Sequence, residues 1–249
     1  MTGWPDGYGR RVLSEVDSTL SEAARIAPGL TGPEWILAHL QTAGRGRRGR
    51  GWVNPVGNFT AALVLRPSGS PDQFALRSFV TALALYDACV AVCGRSDGFA
   101  LKWPNDVLLN GGKLAGILLE SAGSGLGASY LAIGIGVNLV AAPGADAVEA
   151  RGLRPVSLLS EIGAQVAPED FLDQLAIAYA AREAQFVTFG FEPIRRAWLD
   201  RAARIGQEIV ARTGTAETTG TFETVDAKGN LVLMTAKGRV SIPAADVFF

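Results

Sequence analysis

The chain has 249 residues, of which 48% are hydrophobic and 19% charged, a composition that excludes an intrinsically disordered protein and suits a globular one with a sizeable core. A net charge of −1 and a pI of about 5.9 argue against a generally basic nucleic-acid binder, so any basic cluster has to be read locally. Two cysteines leave no disulfide framework. Residues 1–11 carry no apolar signal core and no apolar run reaches transmembrane length, so a cytoplasmic protein with no membrane partner is expected.

In chain order, residues 10–16 read as a first strand. Asp17, Ser18 and Thr19 then offer a helix N-cap, and 21–26 continue as a short helix that Pro28 and Gly29 end. Residues 35–41 form a second strand whose alternation puts Trp35, Leu37, His39 and Gln41 on one face. Residues 42–58 are rich in Gly and Arg, lack periodicity and read as a long functional loop. A third strand follows at 59–65 and a helix at 72–92, in which Cys89 and Cys93 face one side as small core residues, not as a metal or redox pair.

Short strands at 100–103 and 107–109 flank Pro104, Asn105 and Asp106, and Asn110-Gly111-Gly112 signals a turn. Two antiparallel strands come next, at 113–120 and 130–140. Gly134 and Gly136 interrupt the second, where a ligand or another backbone can approach closely. Helices are expected at 157–162, from Pro168 to a cap at Gly190 with an apolar stripe of Phe171, Leu175, Tyr179 and Phe186, and at 191–205. Beyond Gly206, short strands at 209–212, 218–226, 230–235 and 240–243 suggest a small barrel, which divides the chain into domains 1–205 and 206–249.

Three segments carry chemistry. In Gly44-Arg45-Gly46-Arg47-Arg48-Gly49-Arg50-Gly51-Trp52, planar guanidinium forks match carboxylate and phosphate oxygens, and glycine lets the backbone wrap closely round an anion. An RG-rich RNA-binding segment reads the same way, but this loop lies between two strands of a compact domain. No acid within 42–52 offsets the arginines, so the loop is expected to order on binding an anion. In Lys102-Trp103-Pro104-Asn105-Asp106 and Gly112-Lys113-Leu114-Ala115-Gly116, Asp106 and Lys113 lie across a hairpin, where they could share a polyphosphate, with Asp106 holding Mg²⁺; a plain turn with an exposed lysine is the alternative. Gly134-Ile135-Gly136-Val137-Asn138 lacks the third glycine and the strand-to-helix context of a dinucleotide site. The lone His39 reads as a core or rim residue, which leaves neither a zinc centre nor a Ser-His-Asp triad.

These motifs, with Asp17-Ser18-Thr19 and Gln41-Thr42-Ala43 ahead of them, occur in an order that closely resembles the biotin protein ligases, from about Leu13 to Val140. The resemblance implies an α/β fold: a mixed, mainly antiparallel sheet with helices packed on one face, and a C-terminal SH3-like barrel. It implies adenylation of biotin by ATP with Mg²⁺, then transfer to a lysine of a carboxylase's biotin carboxyl carrier domain. Ser18, Thr19 and Gln41 would contact the biotin ring and ureido group, and Arg45, Gly46 and Arg47 would fold over biotin and the activated phosphate. Lys113 would contact the biotin carboxylate and α-phosphate, forming the catalytic set with Arg45 and Asp106. Asp106, supported by Asn105, would place Mg²⁺ or the acceptor lysine. Arg47, Arg48, Arg50, Asn105 and Asn138 would serve the nucleotide.

One departure from the family pattern is Leu20, where many members carry Asn after the Ser-Thr pair. The match begins almost at the N-terminus, so the resemblance is to members without a DNA-binding domain. No DNA partner is expected, and a homodimer is compatible. A lipoate ligase or transferase is the rival within the same chemistry, and an RNA-binding protein using the RG loop is the rival outside it.

Overall fold

The computed structural model describes residues 3–122, 130–144 and 151–249. Its centre is a seven-stranded sheet built from β1 (Gly9–Val16), β2 (Glu34–Gln41), β3 (Phe59–Leu65), β4 (Phe99–Lys102), β5 (Asp106–Leu109), β6 (Gly112–Ala122) and β7 (Tyr130–Val137), in the order β1-β2-β3-β7-β6-β5-β4. β1 and β2 run parallel and the other neighbours antiparallel, so the sheet is mixed and mainly antiparallel, as expected.

Period-two alternation divides the sheet's side chains between two layers. Trp35, Leu37, Phe59, Ala61, Leu63, Ile133 and Ile135 enter the main core under α3 (Arg77–Cys93), α5 (Pro168–Phe189) and α6 (Phe191–Leu199). Ile36, Ala62, Val64 and Ala132 face the other way and pack with Leu20 and Ala23 of α1 (Thr19–Ile26). The bulk of the helices therefore lies on one face, and one short helix lies on the opposite face. Phe171, Leu175, Tyr179 and Phe186 are all buried, as the stripe requires. Each such side chain contributes about 1.5–3 kcal/mol of burial.

The expected helix at 72–92 is two helices, α2 (Pro71–Ala75) and α3, broken at Leu76. A Ser70–Gln73 capping box starts the first, and Phe74 and Leu76 beside the break are both buried. By length and composition the stretch 71–93 is apolar enough to cross a membrane (mean hydropathy 1.6), contrary to the sequence reading, but most of its apolar window is buried inside the protein. A short helix, α4 (Leu158–Ile162), is capped by Ser157. α6 stops at Leu199, not at 205, because residues 201–203 leave the helix to pair with the sheet edge: Leu101 N–H donates to Arg201 O (2.8 Å) and Ala203 N–H to Leu101 O (2.7 Å).

The C-terminal segment forms a second sheet of five strands, β8 (Glu208–Thr213), β9 (Ala216–Val225), β10 (Leu231–Thr235), β11 (Gly238–Ile242) and β12 (Asp246–Phe248), in the order β11-β10-β9-β8-β12. β12, which the sequence reading lacked, pairs with β8. The β9–β10 turn docks on the first sheet's layer. Trp103 Nε1 donates to Gly229 O at 3.0 Å, and Gly229 packs so closely on Leu76 and Phe79 that a Cβ there would lie 3.0 and 2.9 Å from them.

Candidate active site

The thinly covered face of the first sheet holds a cavity of about 270 Å³. Two glycines leave its floor bare. Gly116 on β6 and Gly136 on β7 are cross-strand partners, and the Trp52 indole lies over both. A Cβ at Gly136 would overlap that ring. One step along β7, a Cβ at Gly134 would come within 2.8 Å of Leu20, so close approach, not turn geometry, explains this pair of glycines.

At one end stand Ser18, Thr19 and Gln41. Ser18 precedes α1 but makes no side-chain cap bond, and both Ser18 and Thr19 are buried. Thr19 donates from its backbone N–H (2.7 Å) and its hydroxyl (3.0 Å) to Gln41 Oε1, which fixes the amide of Gln41. Beneath them the Arg25 guanidinium, aided by the Ser18 N–H, holds the Asp17 carboxyl down at about 2.

At the other end the β5–β6 hairpin presents Lys113, whose Nζ lies 2.8 Å from Asp106 Oδ1 and 6.0 Å from the Trp52 ring centroid. That Asp106 oxygen is buried and has no hydrogen bond, so its one close partner is the ammonium. Asn105 faces both ways. Its Nδ2 donates to Ile117 O at 2.5 Å, and its Oδ1 accepts from Arg47 at 3.4 Å. Asn138 lines the cavity, but its Nδ2 is committed to Val156 O at 3.0 Å.

The arginine loop closes the mouth. Arg45 and Gly51 form a bridge, and Arg48 adopts a left-handed conformation (φ 56°) at the tip. The acids missing inside the loop come from elsewhere in the chain. Arg45 pairs with Glu120 (3.1 Å) and donates to Ser21 (2.8 Å). Arg48 (2.5 Å), Arg50 (3.2 Å) and Arg212 (3.4 Å) converge on Asp246 Oδ2 of β12. Burial would raise Asp246, but these cations and Arg47 together hold it below the usual carboxylate range.

Of the expected site residues, Ser18, Thr19, Gln41, Arg45, Gly46, Arg47, Arg50, Asn105, Asp106, Lys113 and Asn138 all line this one cavity. Arg48 does not; it is turned to Asp246. Among the other lining residues, Trp52, Lys102, Asp246 and Phe248 add rings and charge that the sequence reading gave no role in the site. Lys102 was legible, since it shares a motif with Asp106 and is its cross-strand partner. Asp246 left no local signal. His39 lies outside the cavity, half-exposed, with Nε2 3.2 Å from Glu169. Burial pushes the thiols of Cys89 and Cys93 up, as suits core residues. Among the described residues no three metal-binding side chains cluster. The cavity's donor set would fit Mg²⁺ as a nucleotide's counterion, which needs one or two carboxylates plus phosphate oxygens.

The tie to Asp246 gives a first prediction. Ion pairs of this exposure contribute up to about 1 kcal/mol each, so Asp246→Asn should speed tryptic cleavage at 45–50 in the free protein about fivefold. Because the folded carboxyl titrates below its ordinary 3.8, the tie should persist from neutral pH down to that value and be lost as the pH falls further. Equal cleavage of the two proteins at pH 7 would refute the tie.

The chain matches the Biotin/lipoate A/B protein ligase family over residues 10–138 and the Biotin protein ligase C terminal domain over residues 205–249. It is 59% identical over 238 residues to a biotin–[acetyl-CoA-carboxylase] ligase of Paracoccus denitrificans, covering 96% of this chain and 99% of that protein. It is 30% identical to the bifunctional ligase/repressor BirA of Bacillus subtilis, over 95% of this chain and 71% of that protein. Among solved structures, a biotin protein ligase from Aquifex aeolicus in complex with biotin and ATP superimposes with a TM-score of 0.79 at 23% identity, covering 96% of this chain and 98% of that one, a likeness of fold.

Proposed function

The chain belongs to the biotin/lipoate A/B protein ligase family, and from that membership we propose how its cavity works. It is an ATP-dependent biotin protein ligase, which forms biotinyl-5′-AMP and passes the biotinyl group to a lysine of a biotin carboxyl carrier domain. What supports the residue assignments is one cavity whose Ser18–Thr19–Gln41 end is uncharged and whose Arg47–Lys113 end is cationic.

The uncharged end takes the biotin ring. Gln41, already fixed by Thr19, directs its amide to the ureido group, and Trp52 covers the bare floor at Gly116 and Gly136. The carboxylate then meets the α-phosphate of ATP, two anions that repel. Lys113 and Arg45 offset that repulsion from fixed positions, and Arg47 and Arg50 neutralise the remaining phosphates. Asn105 acts by holding Arg47 and the hairpin. Mg²⁺ would be held by Asp106 together with the phosphates and would supply further charge neutralisation. The mixed anhydride hydrolyses readily, so closure of 42–52 excludes water. The nitrogen of the incoming lysine then attacks the acyl carbon, the bond from that carbon to the phosphate oxygen breaks and AMP leaves with its electron pair, while Asp106 accepts a hydrogen bond from the amine and then its proton.

The reading includes a domain boundary at 205/206, a cytoplasmic site of action and, on the net charge of −1, no DNA partner. It extends to a homodimer, for which the exposed edge strand β1 offers a pairing edge that sedimentation would test. The deciding experiment incubates the protein with biotin, ATP, Mg²⁺ and an isolated carrier domain, with lipoate in a parallel arm. A single-lysine mass gain with biotin alone is expected. No gain with biotin, or an equal gain with lipoate, would overturn the assignment.

A further inference from the structure

The arginine loop is fastened to the fold at two places. Its tip is tied to Asp246 of the second sheet through Arg48 and Arg50. Its first limb is tied by Arg45, beside the uncharged end of the cavity. The Arg45 guanidinium donates to Ser21 Oγ at 2.8 Å and to Glu120 Oε2 and Oε1 at 3.1 and 3.4 Å. Ser21 stands on α1, two positions after Thr19. Glu120 shares one face of β6 with Gly116 and Leu118, by alternation. Arg45, Gly116 and Leu118 line the cavity, whereas Ser21 and Glu120 stand outside its lining. One arginine therefore spans from the loop to both α1 and β6, at the end that takes the ring.

The backbone beside Arg45 shows what this strut fixes. Arg45 is bridged to Gly51, Gly46 N–H donates to Arg50 O (2.7 Å) and Trp52 N–H donates to Gly44 O (3.0 Å). Residues 44–46 and 50–52 are thus held together as two antiparallel limbs. The second limb ends on Trp52, whose ring lies over Gly116 and Gly136. The first runs past Gln41: a Cβ at Gly44 would lie 3.0 Å from Gln41 Nε2 and 2.9 Å from Trp52 O. Wherever Arg45 is anchored, the indole and the flank of the Gln41 amide follow.

A carboxylate on Arg45 can act in two ways. As a decoy it would occupy the cation until an anionic ligand displaced it. As a strut it would hold the limb where the ring needs it. The partners favour the strut. A decoy needs only a charge, but here a neutral hydroxyl on a second element shares the guanidinium, and the planar fork fixes direction as well as distance. We infer that Glu120, with Ser21, is a positioning residue for biotin: it acts through Arg45 to hold the first limb, and with it Trp52, against the ring.

This rests on the biotin-ligase reading, and the test separates the two. Binding is measured by calorimetric titration with biotin and with its neutral alcohol, in which a CH₂OH group replaces the carboxylate. Arg45 and Glu120 are 39% and 40% exposed, so Glu120→Gln should weaken both ligands by about fivefold, the upper range for such a pair. A decoy predicts the opposite sign, since freeing Arg45 would tighten biotin and leave the alcohol unaffected. Glu120→Asp should recover part of the loss. In an Arg45→Met background Glu120→Gln should add nothing, because its effect runs through that guanidinium. Unchanged or tighter biotin binding in Glu120→Gln overturns the inference, as does an equal loss in the Arg45→Met background.

Ser21→Ala tests the same strut from its other end and covers a Glu120 variant that fails to fold. It should weaken biotin and the alcohol alike, by about threefold, the scale of one neutral hydrogen bond. No loss with either ligand overturns the inference. Failure of the parent protein to bind biotin at all overturns the ligase reading itself, whatever the Glu120 and Ser21 variants do.

Discussion

Lys113→Ala is expected to slow biotinyl-AMP formation by about 10²–10³, the effect of removing one preorganised charge from where negative charge develops. Lys113 is aimed before any ligand arrives. Its backbone is fixed on both sides, the N–H donating to Arg154 O (2.8 Å) and the carbonyl accepting from Val156 N (3.0 Å). Its Nζ is held between Asp106 and the Trp52 ring. Deletion also strands the buried Asp106 oxygen, so repulsion of the phosphates adds to the lost attraction. Pyrophosphate release in a single turnover with biotin and ATP is the measurement, and a near-normal rate would remove Lys113 from the catalytic set.

Gly136→Ala should weaken biotin binding by about 10–100-fold, roughly 1.4–2.8 kcal/mol, while leaving the melting temperature nearly unchanged. The added methyl overlaps the Trp52 indole, and Trp52 sits on a loop outside the buried core. The cost therefore falls on the binding site. Gly134→Ala is the contrasting case. Its methyl meets Leu20, a buried member of the α1 layer, at 2.8 Å, and overpacking there typically costs about 1–3 kcal/mol of stability. Calorimetric titration with biotin and thermal melts of both variants would separate these effects. Equal loss of stability in the two would show that Trp52 is fixed as rigidly as Leu20.

Much of this architecture was legible from local pattern. The alternation through Trp35, Ile36 and Leu37 assigns each side chain to its layer, and the glycines at 134 and 136 mark a close approach before any partner is known. The glycine–arginine loop reads as a candidate anion site because it lies between two strands of a compact domain, its composition alone being shared with RG-rich RNA-binding segments. Elements decided by distant contacts were not legible. α6 ends at Leu199 because Leu101, nearly 100 residues earlier, captures the next backbone groups. β12 is three residues long and exists only through its pairing with β8. The counter-ion of Arg48 and Arg50 is Asp246, and nothing around that aspartate in the sequence distinguishes it from any exposed acid. An expectation built on the loop's own residues therefore found unopposed repulsion where the folded chain has balance.

The uneven covering of the seven-stranded sheet separates durability from adaptability. The face under α3, α5 and α6 carries the larger apolar layer, so its backbone amides should open only with the whole domain and exchange with solvent most slowly. The opposite face has α1 and a loop as its cover and a smaller apolar layer, so its amides should exchange faster. Substitutions that reshape the pocket fall on this second side, at positions such as Leu20, Trp52 and Gly116, without repacking the first. A lineage can therefore retune which carboxylic acid it accepts while the threshold stability of the scaffold stays intact, the circumstance in which new specificities arise most readily.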